Sequence, residues 1–409
     1  MSARLPSTLQ RLYALGPRGM RFDLERVRRA AQALGDLHRV GPYVHIGGTN
    51  GKGSTAAFVE RMAREAGATV GLYTSPHLCR FSERVRVDGD PVDDDLLADC
   101  LERALAADAE LTFFEVATLA ALAAFRERKV DLWVLEVGLG GRLDATNIVE
   151  GKATTAITRV AYDHTDRLGP TLMAIAREKA GILRPGAPCV VGRLHPDALA
   201  VVEEVAAEIG ARVHEASGED EAHVVDLYPP SLPGVFQRSN AMVAVAIARA
   251  LELPDRAIAE GLLDTQWPGR FEILETPEGY VVLDCAHNPD GALALKNSLI
   301  GVGAAFSRRQ VALVFGAMAD KNWRAMLDRL TPVTGPRVYV EPQGRAPASA
   351  EELVAYLDGD VALGVAEALA LARQKVGRGG LVVVAGSIFL VGQARAHLLG
   401  LPVDPPIGL

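Results

Sequence analysis

The chain is poor in aromatic residues, in cysteine and in long apolar runs, and its basic residues are outnumbered by acidic ones. Phe, Trp and Tyr make up 5% of its 409 residues, and 43 Lys and Arg face 51 Asp and Glu, which gives a net charge of −8. Proteins that bind nucleic acids usually carry a basic surplus. We therefore expect no nucleic-acid partner.

The scarce cysteines also restrict the possibilities. There are four in the chain, far apart and without a C-x-x-C pair, at Cys79, Cys100, Cys189 and Cys285. This spacing argues against a zinc site or a disulfide framework, and it is typical of a reducing compartment. No apolar run reaches the length of a bilayer span, and "MSARLPSTLQRLYALG" lacks the apolar stretch of a secretory signal. We expect a cytoplasmic protein without a membrane segment.

What the chain has is a regular alternation of strand and helix patterns. Apolar runs of strand length, such as "YVHIGG", "DLWVLEVG" and "ATTAITRV", are followed by helical stretches such as "FFEVATLAALAAFRERK". This alternation predicts mostly parallel sheets covered by helices. An acidic and Pro-rich stretch at 216–234 is expected to be irregular. The Pro-Gly break in "TQWPGRF" places a domain boundary near Pro268, giving domains 1–268 and 269–409.

The strongest chemical signal is "HIGGTNGKGSTAAF", which lies between a predicted strand and a predicted helix. Its glycines allow backbone N–H groups to approach an anion, and the helix start favours negative charge. Lys52 adds a cation. Gly53 stands where a common phosphate loop has Ser or Thr, and the hydroxyls follow at Ser54 and Thr55. A Gly-rich turn with a solvated lysine is the structural alternative.

Polar residues follow the ends of other predicted strands, where ligands bind in open α/β sheets. Glu136 ends an apolar strand, and it suits either Mg²⁺ or a neighbouring Arg. Asp163, His164 and Asp166 follow the next strand; Mg²⁺ seldom recruits His, so these residues alone favour a structural role for His164. Lys179, in "AREKAGI", reads locally as a surface lysine.

The second half carries fewer signals. Asp284 and His287 in "DCAHNPDG" suit either nucleotide binding or helix capping. Arg270 in "PGRFE" suits either a polyanion or solvent. The stretch "TSPHLCRFSERVRVDGDPV" reads equally well as a lid loop and as a long connector.

Together, "GTNGKGS", "TSPHL", "EVGLGGRLDATN", "DHTDRLG", "EKAGI", "PGRFE" and "DCAHNPDG" resemble the folylpolyglutamate synthase/dihydrofolate synthase family of the Mur ligase superfamily. The likeness runs from about residue 20 to about residue 390. It implies an α/β fold, with an N-terminal P-loop ATPase domain like the Mur ligase central domain and a C-terminal Rossmann-like domain. It also implies that ATP binds in the cleft between the two domains. It further implies that the protein is a monomer.

The resemblance assigns residues to roles. Its metal ligands match Ser75, Glu136 and His164, which reverses the local interpretation of His164. Lys179 matches a lysine that is carbamylated and supports a second Mg²⁺, so two ions are implied. Lys52, Arg270 and His287 join Lys179 in the catalytic set. ATP contacts match Gly48, Thr49, Asn50, Gly51, Lys52, Gly53, Ser54, Asn240, Arg270 and Asp284. Dihydropteroate contacts match Arg21, Phe22, Asp23, Leu24, Thr112, Phe113, Phe114, Glu115, Leu143, Asp144 and Ala145. The chain departs from the family where it reads "MRFDLERV", at the first of these contacts.

The activity implied is that of an ATP-dependent amide ligase. It would add L-glutamate to dihydropteroate and to reduced folates through an acyl phosphate, releasing ADP and phosphate. A folylpolyglutamate synthase without the first activity is the alternative. A ligase of peptidoglycan precursors is disfavoured because the phosphate loop begins at Gly47, too early for an extra N-terminal domain. A nucleotide-binding regulator should lack Glu136, His164 and Lys179.

Overall fold

Strands and helices alternate along the chain, as the sequence patterns predict. The computed structural model describes residues 4–16, 23–302, 310–344 and 346–404. The helices are α1 (Arg4–Tyr13), α2 (Glu25–Ala33), α3 (Lys52–Glu65), α4 (Asp94–Ala107), α5 (Phe113–Glu127), α6 (Thr165–Leu168), α7 (Leu172–Ala180), α8 (Pro196–Ile209), α9 (Glu219–Leu227), α10 (Val235–Ala250), α11 (Asp255–Asp264), α12 (Pro289–Val302), α13 (Trp323–Leu330), α14 (Ala350–Tyr356), α15 (Val365–Val376) and α16 (Ile388–Leu399). None of the helices in these ranges is long and apolar enough to span a bilayer.

The strands form two sheets. They are β1 (Tyr43–Gly47), β2 (Val70–Tyr73), β3 (Val85–Val87), β4 (Asp90–Pro91), β5 (Leu132–Glu136), β6 (Ala153–Ile157), β7 (Pro188–Val191), β8 (Arg212–Glu215), β9 (Glu272–Thr276), β10 (Gly279–Leu283), β11 (Val311–Phe315), β12 (Arg337–Val340), β13 (Asp360–Ala362) and β14 (Leu381–Ala385). The first sheet has the order β4-β3-β2-β5-β1-β6-β7-β8, and the second β13-β12-β11-β14-β10-β9.

The chain separates into two compact units. The larger one takes in the described residues up to Pro76, together with Ser82–Ser231 and Arg238–Thr265. The second takes in His77–Phe81, Leu232–Gln237 and the described residues from Gln266 onward. The chain therefore passes between the units several times. The domain boundary near Pro268 stays a prediction.

In the larger unit, β5, β1 and β6 are central, parallel neighbours. Every residue of β1 and β5 is buried, as is usual for parallel strands, whose sheets are covered by helices on both faces. Helix α3 packs on β1, β2 and β5. Parallel strands bring their carboxyl ends to one edge. The loops after β1, β5 and β6 therefore start side by side, and they carry the phosphate loop, the segment after Glu136 and the segment containing His164.

In the second unit, the parallel strands β10, β14, β11 and β12 have a core on either face. One core includes Phe271, Phe315 and Trp323, and the other includes Leu283, Val338 and Leu390. β9 is antiparallel to β10 and lies at the sheet edge. Asp284 follows β10 directly, so the candidate residues of "DCAHNPDG" leave the carboxyl end of an interior strand.

Two expectations differ from the structure. The stretch 216–234 is not wholly irregular, because it contains α9, whose first turn holds three acidic residues that suit the helix dipole. The stretch after "TSPHL" is neither a plain lid nor a plain connector. It forms a short helical turn (Phe81–Arg84) and the antiparallel strands β3 and β4, which extend the sheet edge beyond β2.

Candidate active site

The loop between β1 and α3 has a backbone that only glycine suits at two positions. Gly48 and Gly51 have φ angles of 148° and 89°. A Cβ at Gly48 would lie 2.1 Å from the Thr158 Oγ1, and one at Gly51 would lie 2.4 Å from the Asn240 Oδ1. The two glycines therefore let the loop wrap closely against the end of β6 and against α10. This close packing predicts a rigid loop.

Threonine side chains fix the phosphate loop. The Thr158 hydroxyl donates to the Asn50 carbonyl at 2.7 Å. The Thr49 backbone N–H donates to the Arg159 carbonyl at 2.6 Å, and its hydroxyl bonds Ala161. The sequence prediction had not singled out Thr158. Its signal was a hydroxyl residue at the carboxyl end of the strand next to β1.

Two lysine ammonium groups meet at one backbone oxygen of this loop. The Lys52 Nζ donates to the carbonyls of Gly48 at 3.2 Å and Thr49 at 3.3 Å, and the Lys179 Nζ donates to the same Gly48 carbonyl at 3.0 Å. Lys179 is 3% exposed. Burial, and next the nearby Lys52 charge, lower the pKa of Lys179 to about 7. The local interpretation of Lys179 as a surface lysine was wrong.

Glu136 joins two further candidate residues at the end of β5. One carboxylate oxygen accepts the backbone N–H of Ser75 at 3.0 Å, and the other lies 4.0 Å from the Lys52 Nζ. The side chain is 7% exposed. A buried carboxylate is costly unless it meets cations or donors, and Glu136 meets both. Lys52, Ser75 and Glu136 thus form one polar cluster beside the phosphate loop.

His164 stands in the loop after β6, immediately before α6. Its backbone is left-handed, with φ 51°, and the Asp163 carboxylate accepts its backbone N–H at 2.9 Å while lying 3.8 Å from its Nε2. Across the residues that the structure describes, no three His, Cys, Asp or Glu side chains are grouped as a metal centre. The oxygens of Glu136 and Ser75 nevertheless match the ligands that Mg²⁺ prefers.

The candidate pteridine residues of α5 are tied into the helix start. Thr112 and Glu115 form a capping box, and the Glu115 carboxylate accepts from the Arg26 guanidinium at 2.8 Å in a buried ion pair. Phe113 lies under the Arg84 guanidinium, and Phe114 packs 6.2 Å from Tyr73, between ring centroids.

The remaining pteridine candidates lie on other segments. Asp23 caps the backbone N–H of Glu25, and Leu24 precedes α2. Leu143, Asp144 and Ala145 lie in the loop between β5 and β6, where Asp144 is buried and starts a short helical turn. Arg21 and Phe22 lie outside the described residues.

In the second unit, the Asp284 carboxylate accepts the backbone N–H groups of Phe271 and Ala286, each at 2.9 Å. Burial raises the pKa of Asp284 to about 6, while the Arg270 charge opposes that rise. The His287 Nδ1 lies 2.9 Å from the Cys285 carbonyl. Because a carbonyl only accepts, the Nδ1 carries the hydrogen. Asp284 and His287 follow β10 directly, and Arg270 precedes β9, the strand that pairs with β10.

This combination of a phosphate loop in one α/β unit and a second α/β unit defines a class. Residues 46–248 match the Mur ligase middle domain, and residues 269–388 match the Mur ligase glutamate ligase domain. The chain is thus a Mur ligase-type protein, which confirms the predicted fold class.

Relatives narrow the class. The folylpolyglutamate synthase of Lacticaseibacillus casei is 35% identical, over 92% of this chain and 95% of that protein. The dihydrofolate synthase/folylpolyglutamate synthase of Escherichia coli (strain K12) is 37% identical, over 97% and 94%. The chain belongs to the folylpolyglutamate synthase/dihydrofolate synthase family, as its motifs predicted.

Solved structures of relatives hold ligands. The Escherichia coli FolC protein in complex with DHPP and ADP matches with a TM-score of 0.86 and 33% identity, over 96% of this chain and 98% of that one. A bifunctional enzyme from Yersinia pestis with AMPPNP and a Mn ion matches with a TM-score of 0.85 and 34% identity, over 97% and 98%. A bifunctional enzyme with Mn, AMPPNP and L-glutamate matches with a TM-score of 0.84 and 34% identity, over 96% and 98%.

Proposed function

We propose that this chain is an ATP-dependent ligase that adds L-glutamate to dihydropteroate and to reduced folates, releasing ADP and phosphate. The observation that carries the proposal is the cluster of Lys52, Lys179 and Glu136 around the phosphate loop, in a chain of this family. The ADP, AMPPNP, DHPP and L-glutamate named with the related structures support the same substrates.

The loop of Gly48 to Ser54 binds the ATP triphosphate in this proposal. The substrate carboxylate attacks the γ-phosphorus, forming an acyl phosphate and releasing ADP. Phosphoryl transfer depends on positioning and on neutralising charge. Lys52 supplies one cation directly, and the rigid loop backbone supplies N–H donors. The glutamate amine then attacks the acyl carbon, and the C–O bond to phosphate breaks.

The candidate residues of the second unit are Arg270, Asp284 and His287. Arg270 offers a permanent cation to a polyphosphate. The His287 Nδ1–H donates to the Cys285 carbonyl, which fixes the orientation of the ring. Asp284, held by two backbone N–H groups, is suited to accept from nucleotide hydroxyls. Asn240, on α10, is a further ATP contact proposed for the larger unit, beside the loop of Gly48 to Ser54.

The residues present fit a divalent cation. Glu136 and Ser75 offer oxygen ligands, His164 offers a ring nitrogen, and Mg²⁺ bound there would supply charge neutralisation for the triphosphate. The Mn ion named with a related structure is consistent with this assignment. We propose Mg²⁺ as the working ion, with a second ion near Lys179.

We also propose that Lys179 is carbamylated. Its pKa of about 7 leaves much of the amine unprotonated at neutral pH. That amine can form an N–C bond with CO₂ and lose one proton to solvent, which replaces a buried cation with an anion. Intact-protein ¹³C NMR in ¹³C-bicarbonate should show a carbamate signal that Lys179→Arg lacks. A spectrum identical for both proteins would contradict this step.

The activity is tested by ADP release in the presence of ATP, Mg²⁺, L-glutamate and either dihydropteroate or tetrahydrofolate. We expect turnover with both pteridines. Lys52→Ala should reduce it by at least about a hundredfold, the scale seen when a preorganised charge is removed, and the exposed Lys152→Ala serves as control. No turnover with either pteridine, or full activity in Lys52→Ala, would refute the proposal.

The pteridine preference separates two members of the family. Turnover with tetrahydrofolate alone would make the chain a monofunctional folylpolyglutamate synthase, the name that the Lacticaseibacillus casei relative carries. Turnover with dihydropteroate as well would match the name of the Escherichia coli relative. Glutamate-dependent ADP release should be compared between dihydropteroate and tetrahydrofolate at equal enzyme concentration.

A further inference from the structure

We propose that His45 and Thr146 are positioning residues that hold the loop carrying Leu143, Asp144 and Ala145 in its substrate-binding shape. The inference rests on the proposed function, because it assigns a consequence to that loop in pteridine binding. It starts from a hydrogen-bonded chain that joins His45 on β1 to Thr146 and Asp144.

The chain of bonds has a defined direction. The His45 Nε2 lies 2.8 Å from the Thr146 Oγ1, which lies 2.5 Å from the Asp144 Oδ1. Both Asp144 oxygens accept hydrogen bonds from the loop, so the carboxylate acts as acceptor and the Thr146 hydroxyl donates to it. Thr146 must then accept from His45, which places the imidazole hydrogen on Nε2.

Asp144 closes the loop on itself. One oxygen accepts the backbone N–H of Leu139 at 2.9 Å, and the other accepts that of Thr146 at 3.0 Å. The carboxylate therefore joins the start of the loop to its end, across residues 139–146. His45 and Thr146 add a third bond that fixes this closed loop to the sheet. Without it, the loop would keep its internal closure and the bond from the Arg142 backbone N–H to the Glu178 carbonyl at 2.8 Å, but it would lose its side-chain bond to β1.

The imidazole of His45 is retained at a cost. His45 is 0% exposed. Within the described part of the chain, its Nδ1 is buried without a hydrogen-bond partner. A buried polar atom without a partner is unfavourable, and an apolar ring of the same shape would avoid that cost. The Nε2 bond to Thr146 is a contact that the imidazole makes and that an apolar ring would not. Burial lowers the pKa of His45 to about 3, so the ring stays neutral during turnover and does not act as a switch.

The anchor joins two candidate substrate elements. His45 lies two residues before Gly47, where β1 ends and the phosphate loop begins. The same strand thus supports the ATP loop by its carboxyl end and the pteridine loop by the His45 side chain. Because the ATP loop has its own bonds to Thr158 and Arg159, loss of the His45 bond should affect the pteridine much more than ATP.

The test uses two removals and two conservative replacements. His45→Phe keeps the ring and removes the donor, whereas His45→Gln keeps an N–H at a similar reach. Thr146→Val removes the hydroxyl, and Thr146→Ser keeps it. We expect His45→Phe and Thr146→Val each to raise the KM for dihydropteroate about tenfold, the effect of a single hydrogen bond to a charged network. The KM for ATP should change less than about twofold, and the conservative variants should recover most of the loss.

A double variant tests whether the two residues act together. His45→Phe/Thr146→Val should be no worse than either single variant, since each already breaks the same chain of bonds. Thr334→Val is the matched control. It removes a buried hydroxyl that donates to the Leu330 carbonyl in the second unit, and its KM for dihydropteroate should equal that of wild type.

The outcomes are distinct. Lack of wild-type turnover with either pteridine would refute the proposed function itself. An active wild type whose KM for dihydropteroate is unchanged in Thr146→Val would overturn only the positioning role; if tetrahydrofolate alone is turned over, its KM decides the question in the same way. Equal increases in both KM values would overturn it too, because they indicate general loosening. If His45→Phe does not fold, Thr146→Val and Thr146→Ser decide the question alone.

Discussion

At the scale of single residues, Lys179 has a charge that its surroundings disfavour. Burial is the first cause of its lowered pKa, and the Lys52 charge is the second. The pKa falls from an ordinary 10.5 to about 7. Between these values the unfolded chain binds a proton that the folded protein does not, so the free energy of unfolding should rise with pH.

This rise predicts a pH-dependent difference between wild type and Lys179→Met. The stability of wild type relative to the variant should increase steadily between about pH 7 and 10, as measured by urea denaturation at each pH in buffer free of CO₂, where Lys179 is the unmodified amine. Lys152→Met removes an exposed lysine, and the difference in unfolding free energy between this variant and wild type should not change with pH. A Lys179→Met difference that is flat with pH would contradict the assigned pKa.

Gly51 gives a second residue-scale prediction. Gly51→Ala should lower the affinity for ATP at least about tenfold, because a Cβ would strain the left-handed backbone by about 1–2 kcal/mol and meet the Asn240 amide. Nucleotide affinity is measured by calorimetric titration with AMPPNP. Gly67→Ala is the matched control: its φ of 90° carries the same strain, and nothing lies within 4 Å of the new Cβ. ATP affinity should be unchanged there, and equal losses in both variants would refute the steric account.

At the scale of elements, the start of α5 depends on a buried charge pair. Arg26 and Glu115 lie 2.8 Å apart with side chains 8% and 6% exposed, and Glu115 also completes the capping box with Thr112. The pair joins α2 to α5. Removing one partner leaves the other buried and unpaired, which costs far more than removing both.

The prediction concerns stability. Arg26→Leu should lower the free energy of unfolding by about 3–5 kcal/mol, and the Arg26→Leu/Glu115→Leu double variant should recover part of that loss. Chemical denaturation measures both. Arg177→Leu breaks a 2.7 Å pair with Glu204 whose side chains are about half exposed, and it should cost less than about 1 kcal/mol. Similar losses for Arg26→Leu and Arg177→Leu would show that burial does not matter here.

Most elements followed from local patterns. The core strands β1, β5 and β6 are β-branched or aliphatic runs, and α5 and α8 are runs of helical length rich in Ala, Leu and Val, so their residues alone favour these elements. β3, β4 and β9 were not predicted. They are short strands of two to five residues at or next to the sheet edges. The pairing of β3 with β2, of β4 with β3 and of β9 with β10 supplies the bonds that their own sequences do not specify.

At the scale of the whole molecule, the second unit is not one continuous piece of chain. His77–Phe81 and Leu232–Gln237 belong to it. Leu78 packs on one of its cores and Phe236 on the other. The Asp404 carboxylate accepts the Phe81 backbone N–H at 2.6 Å. The segment that follows Ser75 and Pro76 is therefore built into the second unit.

This discontinuity predicts that residues 266–409 produced alone are less stable than the same unit in the whole chain. The fragment lacks Leu78 and Phe236, so it should unfold at a lower urea concentration and bind more hydrophobic dye. In the whole chain, Trp133→Phe leaves Trp267 and Trp323 as fluorescence reporters, both in the second unit. In that background, Phe236→Ala should lower the urea midpoint of the second unit part of the way toward that of the fragment. Equal midpoints for fragment and whole chain would contradict the prediction.

The sequence by itself determined where the phosphate loop lies, which strands end in charged residues and which family the chain resembles. These depend on residue types within a few positions of each other. Only the tertiary structure decided that Lys179 is buried against the Gly48 carbonyl, a contact across 131 positions, and that residues 77–81 join the second unit. It also decided that His45 anchors the loop of Asp144. The reason is physical: burial and hydrogen bonding depend on neighbours in space, and a residue's local sequence contains no record of neighbours a hundred positions away.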